Sequence, residues 1–153
     1  MKIVIVGCGR VGARLALRLA AHGHQITIID EVREAFLRLG AGFGGVTLQG
    51  SGLENEVLQR AGTRGADVVL ALTSGDNRNL MVAQMARHQF GVIRSIARLR
   101  DPVRAAKFRE MGIETMCTTT VIEGLLEVYV QSGHFPELPG EMSVSGDADE
   151  LED

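Results

Sequence analysis

A glycine-rich pattern near the amino terminus has the spacing that binds diphosphate groups. It runs from Gly7 to Gly12 as Gly-Cys-Gly-Arg-Val-Gly, directly after the β-branched run Lys2–Val6. Gly7 permits a tight turn, Gly9 lets a diphosphate approach the backbone, and Gly12 lets the next helix pack against the sheet. The free N–H groups and positive dipole end of that helix then face the phosphates. The pattern therefore predicts a phosphate-binding loop.

Asp30 is the residue expected to recognise a ribose. It ends a second predicted strand, 18 positions after Gly12, where a carboxylate accepts hydrogen bonds from ribose hydroxyls. Such a carboxylate also repels a 2′-phosphate, which favours NAD over NADP, although Arg33 follows closely enough to oppose this preference. Glu31 either assists Asp30 or interacts with the dipole of the helix that it begins.

Two arginines lie where a ligand phosphate is expected. Arg10 stands between the second and third glycines, from where its guanidinium can reach a phosphate oxygen in a bidentate arrangement. Alternatively, Arg10 is simply exposed at the start of the helix. Arg98 interrupts an apolar strand and therefore needs an anionic partner, either a phosphate or a carboxylate such as Glu123 or Asp101.

The elements that position these residues alternate between strands and helices. The predicted strands are Lys2–Val6, Gln25–Asp30, Val46–Gln49, Ala66–Leu72, Ser95–Leu99 and Glu114–Cys117. The predicted helices are Arg10–His22, Glu31–Leu39, Leu53–Ala61, Asn77–Phe90, Val103–Met111 and a last helix, capped by Thr118 or Thr119 and ending near Gln131. This alternation predicts an α/β protein of the Rossmann type, with a doubly wound, six-stranded parallel sheet and helices on both faces. Ligands bind such sheets at the carboxyl ends of the strands, which adds Gly50–Gly52 and Thr73–Asn77 to the candidate site.

The composition excludes several classes of protein. The chain has 153 residues, of which 45% are hydrophobic and 23% charged, which fits one domain and excludes a disordered or fibrous chain. Aromatic residues make up 4%, too few for the stacking surfaces of single-stranded nucleic-acid binders, so no nucleic-acid partner is expected. Cys8 and Cys117 form no CxxC pair, so neither a metal site nor a disulfide is expected and a cytoplasmic location is the default.

The charge is distributed unevenly along the chain. Residues 134–153 contain seven acidic residues and no Lys or Arg, so the remainder carries an excess of bases that suits an anionic ligand. We therefore expect residues 1–132 to form the nucleotide-binding domain and residues 133–153 to form an acidic, disordered tail.

Several blocks of residues, in this order along the chain, resemble the nucleotide-binding RCK N-terminal domain, also called TrkA-N. They are Val4–Gly12, Ile28–Asp30, Leu48–Gly52, Val57–Gly62, Ala66–Thr73, Ile96–Pro102 and Phe108–Ile113. The resemblance implies a regulator of potassium transport that is not an enzyme and binds an adenine nucleotide, namely NAD(H), ATP or ADP. It also implies a dimer or higher ring at the inner face of the membrane, bound there to a membrane-embedded potassium transporter subunit.

The resemblance also assigns roles to residues. It gives the phosphates to Gly7, Gly9, Arg10, Val11 and Gly12, the ribose to Asp30, the adenine to Gly50 and Ser51, and the distal half of the ligand to Thr73, Ser74 and Arg98. Cys8, Glu31 and Leu72 complete the candidate site. Glu123 matches a region that approaches the ligand or a cation near the dimer seam. The family usually has Asp in place of Ser51, so the adenine contacts are expected to differ here, and its C-terminal RCK module has no counterpart in these residues.

An NAD-dependent oxidoreductase and a redox-sensing repressor are the alternatives that use the same kind of fold. The first would need a catalytic pair, but Tyr129 is followed four residues later by Gly133 and not by Lys. The second would need a helix-turn-helix, and the sequence shows none. Apolar side chains on the last helix and on the helical segment Leu80–Met85 predict oligomerisation, unless they pack within the core.

Overall fold

The computed structural model describes residues 1–136 and contains one six-stranded, fully parallel sheet in order β3-β2-β1-β4-β5-β6. The strands are β1 (Lys2–Val6), β2 (Gln25–Asp30), β3 (Val46–Gln49), β4 (Val68–Ala71), β5 (Arg94–Leu99) and β6 (Glu114–Cys117). The helices are α1 (Arg10–Ala21), α2 (Asn55–Arg60), α3 (Asp76–His88), α4 (Pro102–Glu110) and α5 (Thr118–Ser132). This architecture confirms the fold class expected from the alternating pattern.

The strand order reverses direction at β1, which places a crevice at the carboxyl ends of β1 and β4. The chain winds outward from β1 through β2 to β3, and then returns to pair β4 with the other side of β1. In register, Val6 of β1 lies beside Ile29 of β2 and Ala71 of β4. Ligand sites in open α/β sheets lie at such a switch point.

Both faces of the central strand are buried, which explains its uninterrupted apolar sequence. Ile3 and Ile5 point to the face that packs against α1 and the segment 33–39, whereas Val4 and Val6 point to the face covered by α2 and α3. A third apolar cluster packs α3 and α4 against β5 and β6. The core therefore fixes the strand ends from which the site residues extend.

The segment expected to form a helix over Glu31–Leu39 is a 3₁₀ helix over Arg33–Leu39. The Asp30 carboxylate accepts the Val32 N–H at 2.9 Å, and Val32 keeps an extended backbone with φ −96° and ψ 111°. This side-chain-to-backbone turn delays the start of the helix. The helix stops at Gly40, which has a positive φ of 68°.

The expected cap of α5 by Thr118 or Thr119 is wrong. The Thr118 hydroxyl donates to the Leu99 carbonyl at 3.4 Å, and the Thr119 hydroxyl donates to the Arg100 carbonyl at 2.6 Å. Both hydroxyls are therefore used to join the start of α5 to the end of β5.

The chain divides into two compact units, Met1–Thr119 and the residues from Thr120 onward. In the second unit the rings of Tyr129 and Phe135 stack with centroids 4.7 Å apart. No helix among residues 1–136 combines the length and the apolar character needed to cross a membrane. Most of the acidic tail predicted for residues 133–153 lies outside the described residues, from residue 137 onward.

Candidate functional site

A cavity of about 250 Å³ opens at the carboxyl ends of the strands around the switch point. Its lining comes from the ends of β1 and β2, from the loops that follow β3 and β4, and from the first turn of α3. The lining residues are Val6, Gly7, Gly9, Ile29, Asp30, Glu31, Val32, Gly50, Gly52, Leu72, Thr73, Ser74 and Arg78.

Glycine is needed at each of the three glycine positions of the amino-terminal loop for a different steric reason. Gly7 has a φ of +107°, a conformation that side-chain-bearing residues rarely adopt. A Cβ added at Gly12 would lie 1.9 Å from the Gly7 carbonyl oxygen, so this helix can approach the turn only without a side chain there. A Cβ added at Gly9 would have no atom within 4 Å. Gly9 therefore leaves open space at the cavity edge, where a ligand can approach the backbone.

The amino terminus of α1 presents free backbone donors beside this space. Gly9 caps the helix without a side-chain hydrogen bond, and no acidic residue lies in the first turn. The Gly9 carbonyl accepts the Ala13 N–H at 2.9 Å, which is the first hydrogen bond of the helix. The N–H groups of residues 10–12 therefore have no partner within the helix. This is the arrangement that binds anions.

Asp30 braces the glycine loop against the end of β2. Its Oδ2 accepts the Cys8 N–H at 2.6 Å, and its Oδ1 accepts the Val32 N–H. Each oxygen keeps a further lone pair, and the residue lines the cavity. Asp30 can therefore hold the loop and still accept a hydrogen bond from a hydroxyl group of a ligand. Because the Cys8 N–H donates to Asp30, it is already engaged within the protein.

The Cys8 side chain lies behind the loop in the core. Its Sγ donates to the Ala35 carbonyl at 3.4 Å. Burial raises the pKa of the Cys8 thiol, and the Asp30 carboxylate raises it further, while the Arg38 guanidinium opposes both. A buried thiol with a raised pKa is a poor nucleophile, so Cys8 has a packing role.

The loop after β4 is held by a buried amide. Asn79 is 1% exposed, and its Oδ1 accepts the Thr73 N–H at 2.9 Å and the Thr73 hydroxyl at 2.7 Å. Its Nδ2 donates to the carbonyls of Thr73 and Arg98, at 3.0 and 2.9 Å. Asn79 therefore fixes Thr73 at the cavity wall and joins the ends of β4 and β5.

The structure brings together eight of the residues predicted from the sequence. These are Gly7, Gly9, Asp30, Glu31, Gly50, Leu72, Thr73 and Ser74. Cys8 and Gly12 lie behind the loop. Arg10 is exposed at the start of α1, and neither it nor Val11, Ser51 or Arg98 lines the cavity.

Ser51 and Arg98, which do not line the cavity, differ in their hydrogen bonding. The Ser51 hydroxyl accepts the Leu53 N–H at 3.3 Å within the loop after β3. The Arg98 Nε is buried and has no hydrogen-bond partner among the described residues. Asp101, one of the carboxylates considered for Arg98, instead accepts the N–H groups of Val103 and Arg104 at the start of α4.

Sequence reasoning included Gly52 among the candidates after β3 but missed two residues of the site, Arg78 and Asn79. A Cβ added at Gly52 would lie 2.4 Å from Val6 Cγ1, so a small residue is needed where this loop crosses β1. Arg78 donates to Glu31, which follows β2, and Asn79 holds Thr73 in the loop after β4.

Asp76 links the start of α3 to the loop that follows β5. Its Oδ2 accepts the Arg100 N–H at 3.0 Å, and its Oδ1 lies 3.4 Å from Arg100 Nε. Burial raises the pKa of Asp76, but backbone hydrogen bonds from Arg100 and Asp101, and the Arg100 guanidinium, outweigh it and lower the pKa below its ordinary value of 3.8.

The replacement Asp76→Asn is expected to lower the free energy of unfolding at neutral pH by about 1 kcal/mol, because charge-assisted hydrogen bonds are lost. Since the folded-state pKa is lowered, the carboxylate stabilises the fold above the ordinary value of 3.8 and loses that effect as the pH falls further. Urea unfolding of both proteins across acidic pH measures this. An unchanged difference between the two at every pH would contradict the assignment.

A doubly wound sheet with a glycine loop after the first strand, a carboxylate at the end of the second strand and a switch-point cavity is typical of Rossmann-type nucleotide-binding domains. Within that class, the family model described as "TrkA-N domain" matches residues 3–119. The chain belongs to the TrkA-N family, as the ordered sequence blocks had indicated.

Relatives of known name agree with this assignment. The chain is 44% identical over 118 residues to the Trk system potassium uptake protein TrkA of Streptomyces coelicolor, which covers 77% of this chain and 53% of that protein. It is 32% identical over 111 residues to a TrkA homolog of Pyrococcus abyssi, covering 72% of this chain and 49% of the homolog. The chain therefore spans about half the length of these relatives.

Solved structures share the fold. The TrkA-N domain of the inner membrane protein ybaL from Escherichia coli has a TM-score of 0.71 at 22% identity, covering 83% of this chain and 95% of that domain. The GsuK channel bound to NAD has a TM-score of 0.70 at 21% identity, covering 85% of this chain and 23% of the channel. The Kef C-terminal domain of Shewanella denitrificans in its AMP-bound form has a TM-score of 0.71 at 18% identity, covering 88% of this chain and 83% of that one.

Proposed function

We propose that this chain is a non-catalytic regulatory domain of a potassium uptake system and that an adenine nucleotide binds in the switch-point cavity. The observation that carries the proposal is the open space at Gly9, beside the free N–H groups of α1 and opposite the Asp30 carboxylate. The names of the relatives support the potassium role, and the NAD-, ADP- and AMP-bound states of similar structures support the ligand class.

The cavity suggests how such a ligand would lie. The glycine loop would take the phosphates, the remaining lone pairs of Asp30 would take the ribose hydroxyls, and Gly50 would flank the adenine. Thr73 and Ser74 would contact the distal part. Arg10 is exposed and Arg98 is partly exposed, and neither lines the cavity. Both would bind additional phosphates of a longer ligand, so the number of phosphates would decide whether these arginines contact it.

The titratable residues of the cavity lining support a binding role over catalysis. Among residues 1–136 that line it, these are Asp30, Glu31 and Arg78. Asp30 carries charge-assisted hydrogen bonds from two backbone N–H groups, and Glu31 is paired with Arg78. This set offers no general base beside an activated nucleophile, which a hydrolase site would need. The described lining also contains no Tyr, His or Lys that could exchange a proton with a substrate during hydride transfer in an oxidoreductase.

Two apolar surfaces, each within its own unit, support assembly into a homodimer or larger ring. One is a groove beside β4–β6, lined by Val11, Leu15, Leu70, Leu72, Ile96, Arg109, Glu114, Thr115 and Met116. The other is α5, which has no buried residue and exposes Ile122, Leu126 and Tyr129. Leu80 and Met85, which also figured in the predicted oligomer surface, are buried in the core, whereas Met81 is exposed.

Nucleotide exchange would gate the transporter only if the ligand binds two arrangements of the assembly with different affinity. Titration calorimetry with NADH, NAD, ATP, ADP and AMP tests the ligand, and light scattering with and without the best ligand tests the assembly. We expect at least one nucleotide to bind and the scattering mass to exceed that of one chain. Absence of binding by all five nucleotides would overturn the proposed function.

A further inference from the structure

Two side chains in the first turn of α3 bind backbone groups at the end of β5. Asn79 Nδ2 donates to the Arg98 carbonyl at 2.9 Å. Asp76 Oδ2 accepts the Arg100 N–H at 3.0 Å. Asn79 also holds Thr73 at the wall of the nucleotide cavity, through the N–H and the hydroxyl of Thr73. The first turn of α3 therefore connects the cavity wall to the end of β5.

The first residues of α5 bind the same strand end. The Thr119 hydroxyl donates to the Arg100 carbonyl at 2.6 Å, and the Thr118 hydroxyl donates to the Leu99 carbonyl at 3.4 Å. The backbone of Arg100 thus forms a bridge, because its N–H donates to Asp76 of α3 and its carbonyl accepts from Thr119 of α5. The boundary between the two compact units follows Thr119, so the bridge ends where the second unit begins.

The bridge depends on backbone hydrogen bonds and not on the charge of Arg100. The Arg100 side chain is 63% exposed, so its ion pair with Asp76 contributes little. The Asp76 side chain is only 12% exposed, and Asn79 is 1% exposed. Such buried polar groups have few alternative partners, so order imposed on one of them stabilises the groups bonded to it.

We propose that the Asp76–Arg100–Thr119 bridge couples occupation of the nucleotide cavity to the stability of the start of α5. The proposal rests on the proposed function, since the nucleotide must contact the loop that Asn79 holds. A ligand that orders Thr73 stabilises the first turn of α3, and the Arg100 backbone extends that effect to Thr119. Because coupling is reciprocal, a stable start of α5 also strengthens nucleotide binding. Asp76 and Thr119 are therefore positioning residues.

Hydrogen exchange followed by mass spectrometry tests the coupling on the whole chain. The probe is the tightest binder among NADH, NAD, ATP, ADP and AMP, added to saturation, and the peptide measured covers residues 118–126. In the wild type, the nucleotide is expected to slow exchange in this peptide by about fivefold. In Thr119→Val and in Asp76→Ala, which remove opposite ends of the bridge, the slowing is expected to fall below about twofold. Nucleotide affinity in these variants is expected to fall by no more than about fivefold, the limit set by reciprocity.

Three matched controls are expected to keep the slowing seen in the wild type. Thr120→Val makes the same replacement one residue later, at an exposed position. Asn77→Ala removes a side chain of the same α3 turn that bonds α4 and not the end of β5. Arg100→Gln removes the exposed guanidinium but keeps the backbone bridge. The double variant Asp76→Ala/Thr119→Val is expected to lose no more than either single variant, because both changes act on one bridge.

The possible failures have different meanings. No slowing in the wild type, or slowing that persists in both Thr119→Val and Asp76→Ala, would overturn the proposal and leave nucleotide binding intact. Protection that arises from subunit assembly alone would give the second of these results. An equal loss in Thr120→Val would also overturn it, because the bridge would not be the cause. Absence of binding by all five nucleotides would reject the proposed function itself. Circular dichroism melts establish that each variant is folded.

Discussion

The Gly9→Ala variant is expected to keep its melting temperature while losing about tenfold or more of its affinity for an adenine nucleotide. A Cβ at Gly9 meets no protein atom within 4 Å, and its φ of −76° suits alanine. The methyl group would instead occupy the space through which a diphosphate approaches the backbone, and the hydrogen bonds made there would lengthen. Thermal melting and titration calorimetry on the same preparation measure the two effects.

Gly12→Ala is the matched comparison in the same loop and is expected to behave differently. Its Cβ would lie 1.9 Å from the Gly7 carbonyl oxygen, a backbone atom that cannot move without displacing the turn. We expect a loss of about 3 kcal/mol in the free energy of unfolding together with loss of binding. If Gly9→Ala were destabilised as much as Gly12→Ala, or bound nucleotide normally, the placement of phosphate at Gly9 would be wrong.

The Asn79→Leu variant is expected to lower the free energy of unfolding by about 3 kcal/mol and the melting temperature by about 10 °C. Leucine has a similar volume, so the loss comes from hydrogen bonds and not from a cavity. It would leave the Thr73 N–H and the carbonyls of Thr73 and Arg98 without their partner in a buried site. Such unsatisfied groups carry their full desolvation cost.

Two further variants test whether lost hydrogen bonds cause the loss of stability at position 79. Asn55→Ala changes an exposed asparagine in the first turn of α2 and is expected to leave stability nearly unchanged. Asn79→Asp places a carboxylate against two carbonyl oxygens, and its burial raises the carboxyl pKa. Its stability is therefore expected to recover as the pH falls and the protonated acid becomes able to donate. A pH-independent loss in Asn79→Asp would argue against the hydrogen-bond network.

The glycine loop and Asp30 could be placed from the sequence because their roles depend on short-range spacing. Strand, turn and helix follow one another within the first twelve residues, and Asp30 ends the neighbouring strand. The same local logic gave the strand ends at Gly50 and Thr73. The sheet then only had to bring parallel strand ends together, which the alternating pattern required.

The remaining site residues depend on pairings between distant parts of the chain. Arg78 meets Glu31 because β4 lies beside β1 in the sheet, and no spacing rule connects positions 47 residues apart. Asn79 looked like an ordinary polar residue early in a helix, yet its burial follows from the packing of α3 against β5. The 3₁₀ segment after Asp30 was missed because a side chain, and not helix propensity, decides where it begins.

The two backbone hydrogen bonds accepted by Asp30 bear on the thermodynamics of ligand entry. They hold the β1–α1 turn and the end of β2 in one geometry before any nucleotide arrives. A preorganised loop loses little conformational entropy when a ligand binds. Binding at this cavity should then be governed by the enthalpy and desolvation of the phosphate contacts, with only a small contribution from ordering the protein.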